Sequence, residues 1–285
     1  MSAPISFVPK KAMPLDRKRF QTIGADETLE IARHTMTLLP TPPFPADAVI
    51  HDAACGLGPV TVSILATAPP PTIKIHATDI APPVINVYNH SAEARHWPCR
   101  AEVMDAQKLA FPDASFSHVF VSFGLPLMDD PIAAASEMYR TLRPGGTAVT
   151  AFWLHNPQSE CGVKVSRAIR GAGARLNIEP NPQHTDKNYI RSLCDGQGGF
   201  KSEDCQLYEK SALLPVQDVD DLATAMWSAI GQPKGGWTKE DDEKWDAAIS
   251  KYKELLPREA GYQVDGNGNV NLKATAQIVI VRKKG

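Results

Sequence analysis

Apolar positions change their period near residue 45. Before that point Phe20, Ile23, Leu29, Ile31, Ala32 and Met36 recur at helical spacing up to Pro40, which predicts one helix or two. The proline run 40–45 then predicts a stiff linker, because each ring fixes its own φ and biases its predecessor away from helix. Beyond it, apolar runs at 48–52, 73–79, 101–104, 117–123 and 147–153 alternate with helical stretches at 60–66, 82–94 and 131–142. Strands alternating with helices predict an α/β fold built on a mostly parallel sheet with helices on both faces. The last of these helices is expected to close on Arg143, Pro144, Gly145 and Gly146. The rhythm breaks after residue 155. An amphipathic stretch at 163–174, a polar loop at 179–187 and a short helix at 189–193 predict a helical cap. Strands at 201–213 and 270–281 bring the expected count to seven, with lid helices at 219–230 and 239–256 between them. Asp265-Gly266-Asn267-Gly268-Asn269 is a turn signal that makes the last strand an antiparallel hairpin strand. The segments expected are 1–45, an N-terminal helical segment and linker; 46–155, a ligand-binding core; 156–199, a cap; and 200–285, the rest of the sheet with lid helices.

At 285 residues, the chain can bury one α/β core and keep a cap. Thirty Lys and Arg against 32 Asp and Glu give a formal charge of −2, which supplies no overall field for phosphate backbones or anionic membranes. The expected partner is therefore a small molecule and not nucleic acid or membrane, and the expected assembly is a monomer or weak homodimer. Five cysteines without a C-x-x-C pair read as reduced thiols and leave no metal site to expect. Pro4, Pro9, Lys10 and Lys11 interrupt the leader where a signal peptide needs an apolar run, so a cytoplasmic protein is expected.

The chemistry concentrates in Val49-Ile50-His51-Asp52-Ala53-Ala54-Cys55-Gly56-Leu57-Gly58, a strand running into a glycine turn and then a helix. Gly56 and Gly58 would let backbone approach a ligand. Asp52 at the strand end is the wrong charge for a pyrophosphate cradle and the right one for ammonium or hydroxyl groups. Asp79 ends the next strand, where it can accept from ribose hydroxyls, with Ile80 beside it for an adenine face. Asp105 and Ala106 end the third, where they can receive the adenine amino group. A solvated loop acid is the alternative for each aspartate alone; three at consecutive strand ends fit it poorly. Cys55 reads as a small packing residue, since no basic neighbour in the sequence would activate it. The charged run 239–244 reads as a solvated helix face, and 282–284 as a frayed tail.

On Asp52 to Gly58, Asp79, Asp105, the strand from Ser115 to Gly124 and Leu142 to Gly146, the chain resembles the class I S-adenosylmethionine-dependent methyltransferases, with Ala54 in place of the first glycine of their motif. The resemblance covers about residues 45–155. Within that family, residues 52–58, 118–124 and 271–281 look like fungal natural-product methyltransferases, including the gliotoxin bis-thiomethyltransferase. The resemblance implies a Rossmann-like sheet, S-adenosyl-L-methionine as cofactor, S-adenosyl-L-homocysteine as product, no metal, and a place in secondary metabolism. It further implies cofactor contacts at Asp52, Ala54, Gly56, Gly58, Asp79, Ile80, Asp105, Ala106 and Phe123.

The acceptor pocket is expected from Phe20, Leu127, Met128, Trp153 and His155. His155, the one imidazole directly after a strand at this edge, could take a proton, or could be a solvent-facing loop residue; His184 has no place that its sequence reveals. With so few bases on the loops, a sulfur or nitrogen acceptor is expected ahead of oxygen. A regulatory or non-methylating protein of the same fold, and a protein methyltransferase, are the alternative readings.

Overall fold

The computed structural model describes residues 7–14, 16–41, 43–176 and 182–284, with the side chains of Arg17, Pro182 and Gln197 excepted. The opening of the leader, Pro42 of the expected linker and residues 177–181 of the expected cap loop lie outside the described residues.

Among the described residues eight strands form one sheet: β1 (Val49–Ala53), β2 (Lys74–Asp79), β3 (Ala101–Val103), β4 (Phe116–Ser122), β5 (Leu142–His155), β6 (Cys205–Val216), β7 (Tyr262–Val264) and β8 (Val270–Arg282). Their order is β3-β2-β1-β4-β5-β8-β6, with β7 off this path and paired antiparallel to β8. The expected count of seven is thus corrected to eight. The added strand has three residues, too short for a period-2 pattern to show, and exists as the first arm of the Asp265–Asn269 hairpin.

Parallel registers align the carboxyl ends that matter. Ala53 lies opposite Thr78 of β2 and Val121 of β4, Asp79 opposite Val103 of β3, and Ser122 opposite Ala151 of β5. Residues 54, 80, 104 and 123 therefore leave the sheet along one edge, where open α/β sheets bind their ligands.

The helices are α1 (Arg17–Ile23), α2 (Ala25–Leu38), α3 (Pro59–Ala66), α4 (Pro82–Ala94), α5 (Pro131–Thr141), α6 (Pro157–Arg170), α7 (Tyr189–Cys194), α8 (Val219–Ile230), α9 (Lys239–Glu243) and α10 (Trp245–Leu255). The N-terminal pattern is two helices, divided where Gly24 takes a left-handed φ of 114°. The helix expected over 239–256 is also two, interrupted at Lys244. Helix α5 ends at Thr141, with Arg140 in its last turn, and Arg143 already belongs to β5. The backbone beyond α5 exchanges hydrogen bonds with the chain terminus: Gly145 N–H donates to the Lys283 carbonyl and Lys283 N–H to Gly146. Lys283 Nζ also donates to the carbonyls of Tyr139 and Leu142 and sits 4.2 Å from the Tyr139 ring centroid. The expected frayed tail is thereby corrected to a clasp.

The chain divides into two compact units. The helical unit comprises Met1–Glu27, His155–Asn181 and Ala212–Ala274; the sheet unit comprises Thr28–Leu154, Pro182–Ser211 and Thr275–Gly285. The helical unit packs Cys161, Val165, Met226, Trp227, Trp245 and Tyr252 into one core. In the sheet unit Phe116, Val119, Val121, Leu125, Met138 and Val281 share a core. Among the described residues no helix is long and apolar enough to cross a membrane.

Candidate functional site

The turn after β1 is held by two carboxylates with different jobs. Asp52 is 1% exposed, and its Oδ2 accepts from Thr61 N–H (3.1 Å) and Thr61 Oγ1 (2.7 Å) in the first turn of α3. Thr61 Oγ1 also lies 2.9 Å from the Tyr88 hydroxyl. Burial lifts the Asp52 carboxyl to about 7 against the pull of the two Thr61 hydrogen bonds, and nearby Asp79 lifts it further. The start of α3 therefore carries an acid where a phosphate-binding turn leaves its N–H groups free. Pro59 at the first helical position adds no N–H of its own.

Asp79, at the end of β2, is half-buried and faces the turn from the other side. Its Oδ2 accepts from Gly56 N–H (3.0 Å) and its Oδ1 from Ala81 N–H (3.0 Å), which leaves lone pairs on both oxygens. Ile80 next to it is 63% exposed, an apolar side chain with its face open. The two glycines are not equivalent. A Cβ on Gly56 would meet nothing within 4 Å, so that stretch of backbone is open to a ligand. A Cβ on Gly58 would come within 2.9 Å of Tyr88 and 3.0 Å of Trp97, so the residue is small because rings pack against it.

Asp105 closes a local turn, its Oδ1 accepting from Gln107 N–H and Nε2, both at 2.9 Å, while Ala106 is buried. Ala54 and Phe123 are both non-glycine residues with left-handed φ, 52° and 59°. The turns they belong to touch, since a Cβ on Gly124 would come within 2.8 Å of Ala54 Cβ. Phe123 lies against Trp153 with ring centroids 4.4 Å apart. Leu127 is 46% exposed and Met128 packs partly buried on the core around Leu125 and Met138.

The sheet unit thus gathers Asp52, Ala54, Gly56, Gly58, Asp79, Ile80, Asp105, Ala106, Phe123, Leu127, Met128 and Trp153, whereas Phe20 and His155 belong to the helical unit. Both His155 ring nitrogens are engaged there: Nδ1 lies 2.8 Å from Glu160 Oε1, and Nε2 meets the Ala260 carbonyl. Cys55 is buried, and burial first, then Asp52 and Asp79, push its thiol far above the ordinary range, so it is no nucleophile. Thr61 and Tyr88 are the partners missed in sequence; a threonine in the first turn of a helix, facing a strand-end acid, was the available signal.

Residues 50–146 match the family model described as a methyltransferase domain. The chain is 25% identical to methyltransferase tpcH of Aspergillus fumigatus, over 82% of this chain and 84% of that one. It is 24% identical to methyltransferase ktnA of Aspergillus niger, over 83% and 85%. The YcgJ protein from Bacillus subtilis shares its fold at a TM-score of 0.55 and 13% identity, over 90% of this chain and 98% of that one. The motif, the sheet order and these relatives agree: residues 50–146 match a methyltransferase domain, and the chain along most of its length is similar to fungal methyltransferases.

Proposed function

We propose that the protein transfers a methyl group from S-adenosyl-L-methionine to a small, partly apolar, natural-product-like acceptor. The observation that carries the cofactor half is the pair of acids around the β1 turn. Asp52 closes the helix start to a phosphate, while Asp79 offers carboxylate lone pairs beside the exposed face of Ile80. A phosphate-free nucleoside with a vicinal diol and a flat base fits such a donor set; a dinucleotide does not. In this reading Asp79 holds the ribose, Ile80 and Phe123 flank the base, and Asp105 and Ala106 meet its amino edge. Ala54, Gly56 and Gly58 carry the turn, which Asp52 anchors from behind. When bound, the cofactor supplies a methyl group already activated on a cationic sulfur. The protein's work is to orient the acceptor and keep water away.

The acceptor half is supported by likeness to two fungal methyltransferases along most of the chain and by the apolar loop residues Phe123, Leu127, Met128 and Trp153. On these strand-end loops alone, sulfur or nitrogen precedes oxygen as the nucleophile, because His155 has no free ring nitrogen. Calorimetry with S-adenosyl-L-methionine, S-adenosyl-L-homocysteine and NADH tests the cofactor half. The two sulfur nucleosides should bind, and Asp79→Ala should weaken them about 10- to 100-fold, the value of a charged hydrogen bond of about 1.5–3 kcal/mol. Unchanged affinity in that variant, or tight NADH binding, would remove the assignment.

A further inference from the structure

His184 lies far in sequence from the strand-end loops, yet the fold of the sheet unit brings it to them. It sits in the short 3-10 turn Pro182–Thr185, just before α7. Its ring meets Phe152 of β5 edge-on, with centroids 4.9 Å apart, and Tyr189 of α7 at 5.5 Å. One ring nitrogen is hydrogen-bonded to the Pro126 carbonyl, in the loop that follows β4. Among the described residues Nε2 is buried and has no partner, so the bonded nitrogen is Nδ1. The segment after His184 is tied down by Gln277 of β8, whose Nε2 donates to the Lys187 carbonyl.

A carbonyl can only accept, so Nδ1 carries the hydrogen in this contact, and the neutral ring then presents a lone pair at Nε2. Burial holds the ring below the ordinary imidazole range, against the contrary pull of the Pro126 carbonyl. A buried acceptor without a donor costs free energy. The neutral tautomer is fixed at one end and unanswered at the other, next to the loop and strand that carry Phe123, Leu127 and Trp153.

The geometry points to His184 Nε2 as the proton acceptor for the methyl acceptor, and to a hydroxyl-bearing molecule, phenolic or enolic, as the substrate class that uses it. This rests on the methyl-transfer reading above and extends its acceptor class to oxygen, the nucleophile for which a base matters most. In the step, the O–H bond breaks, its proton bonds to Nε2, and the electron pair stays on oxygen. An oxygen pair forms the bond to the methyl carbon, and the C–S pair returns to sulfur. Imidazolium and a neutral thioether remain, so charge and atoms balance.

The test uses the full chain, 15N-labelled at histidine and loaded with S-adenosyl-L-homocysteine, with phenol and anisole as probes. Phenol should shift the unprotonated Nε2 signal of His184 as it donates to it, and anisole, which has no O–H, should not. An unmoved signal with phenol, or a ring found protonated at Nε2 before any probe is added, overturns the proposal. His184→Asn keeps an N–H where Nδ1 stood and removes the Nε2 lone pair. With S-adenosyl-L-homocysteine affinity and melting temperature unchanged, it should abolish the phenol response. Its turnover of phenol should fall about 10²- to 10⁴-fold, and that of thiophenol, already ionised, less than about tenfold. Equal losses on the two would make His184 a structural residue. Failure of the wild type to bind S-adenosyl-L-homocysteine strikes the methyl-transfer reading itself, a separate outcome in the same titration.

Discussion

Ala54 occupies the position at which the family carries a glycine, and its φ of 52° shows why glycine is usual there. A left-handed residue with a Cβ is strained by about 1–2 kcal/mol. Its methyl is not idle, because it packs where Gly124 of the neighbouring turn makes room. Ala54→Gly should relieve the strain and lose part of the gain to the greater freedom of glycine in the unfolded chain. The expected net effect is a stabilisation of up to about 1 kcal/mol, read as a rise in the denaturation midpoint. A fall of more than about 0.5 kcal/mol would show that the methyl packing against the second turn outweighs the backbone strain. Phe123, with a φ of 59°, is the companion case, and there the contact with the Trp153 ring offsets the strain.

At the scale of elements, α9 illustrates how a charged run conceals a buried pair. Residues 239–244 read as a solvated face, but Asp241 is buried and closes a capping box with Thr238. Its Oδ1 accepts from Arg170 Nε at 2.7 Å, and the Arg170 guanidinium lies over the rings of Trp227 and Trp237. Burial raises the Asp241 carboxyl, yet the hydrogen bonds from Arg170 and Thr238 outweigh it and hold the group below the ordinary range. Asp241→Ala leaves an arginine cation enclosed by aromatic rings without its partner, and should destabilise the helical unit by about 3–5 kcal/mol. Urea unfolding measures this, and a loss below about 1 kcal/mol would mean that Arg170 finds water.

Much of the sheet was legible because parallel strands buried on both faces read as unbroken apolar runs, and the acids ending β1, β2 and β3 mark their carboxyl edge. The buried side of α9 was not, although the helix itself was expected, because nothing local in 239–244 tells that Arg170 comes to meet Asp241. His184 was illegible for the same reason: Pro126 and Phe152 give it meaning only through the fold. At Gly58 the packing reason was hidden, because a glycine kept small by Tyr88 and Trp97 looks, in sequence, the same as one kept small by a cofactor.

At the scale of the molecule, the sheet unit carries titrating groups in its interior that act on stability in opposite directions. His51 is stacked on Phe116 at 4.8 Å, and burial, with a smaller contribution from His76, depresses it to about 3; His118 is depressed to about 4 by burial and by Arg282. A histidine whose folded pKa is depressed contributes stability that is present above its unfolded value of 6.5 and is lost as pH falls toward the folded one. Asp52 works the other way. Its folded value is raised from 3.8 to about 7, so the folded state holds the extra proton, and stability is lost as pH rises through that interval. Between about pH 4 and 6.5 the two trends oppose each other, and the cofactor-free protein should show a flattened stability profile. Asp52→Asn separates them, since an amide oxygen can still accept from Thr61 but does not ionise. At pH 4 the variant and the wild type should be nearly alike, because Asp52 is then neutral in the folded state. By pH 8 the variant should be the more stable, by an amount on the order of a few kcal/mol, given about 1.4 kcal/mol per unit of pKa difference. Urea unfolding of both proteins at each pH from 4 to 8 measures the gap. A difference that stays constant across the range would show that Asp52 keeps an ordinary carboxylate pKa and that the turn after β1 is open to water.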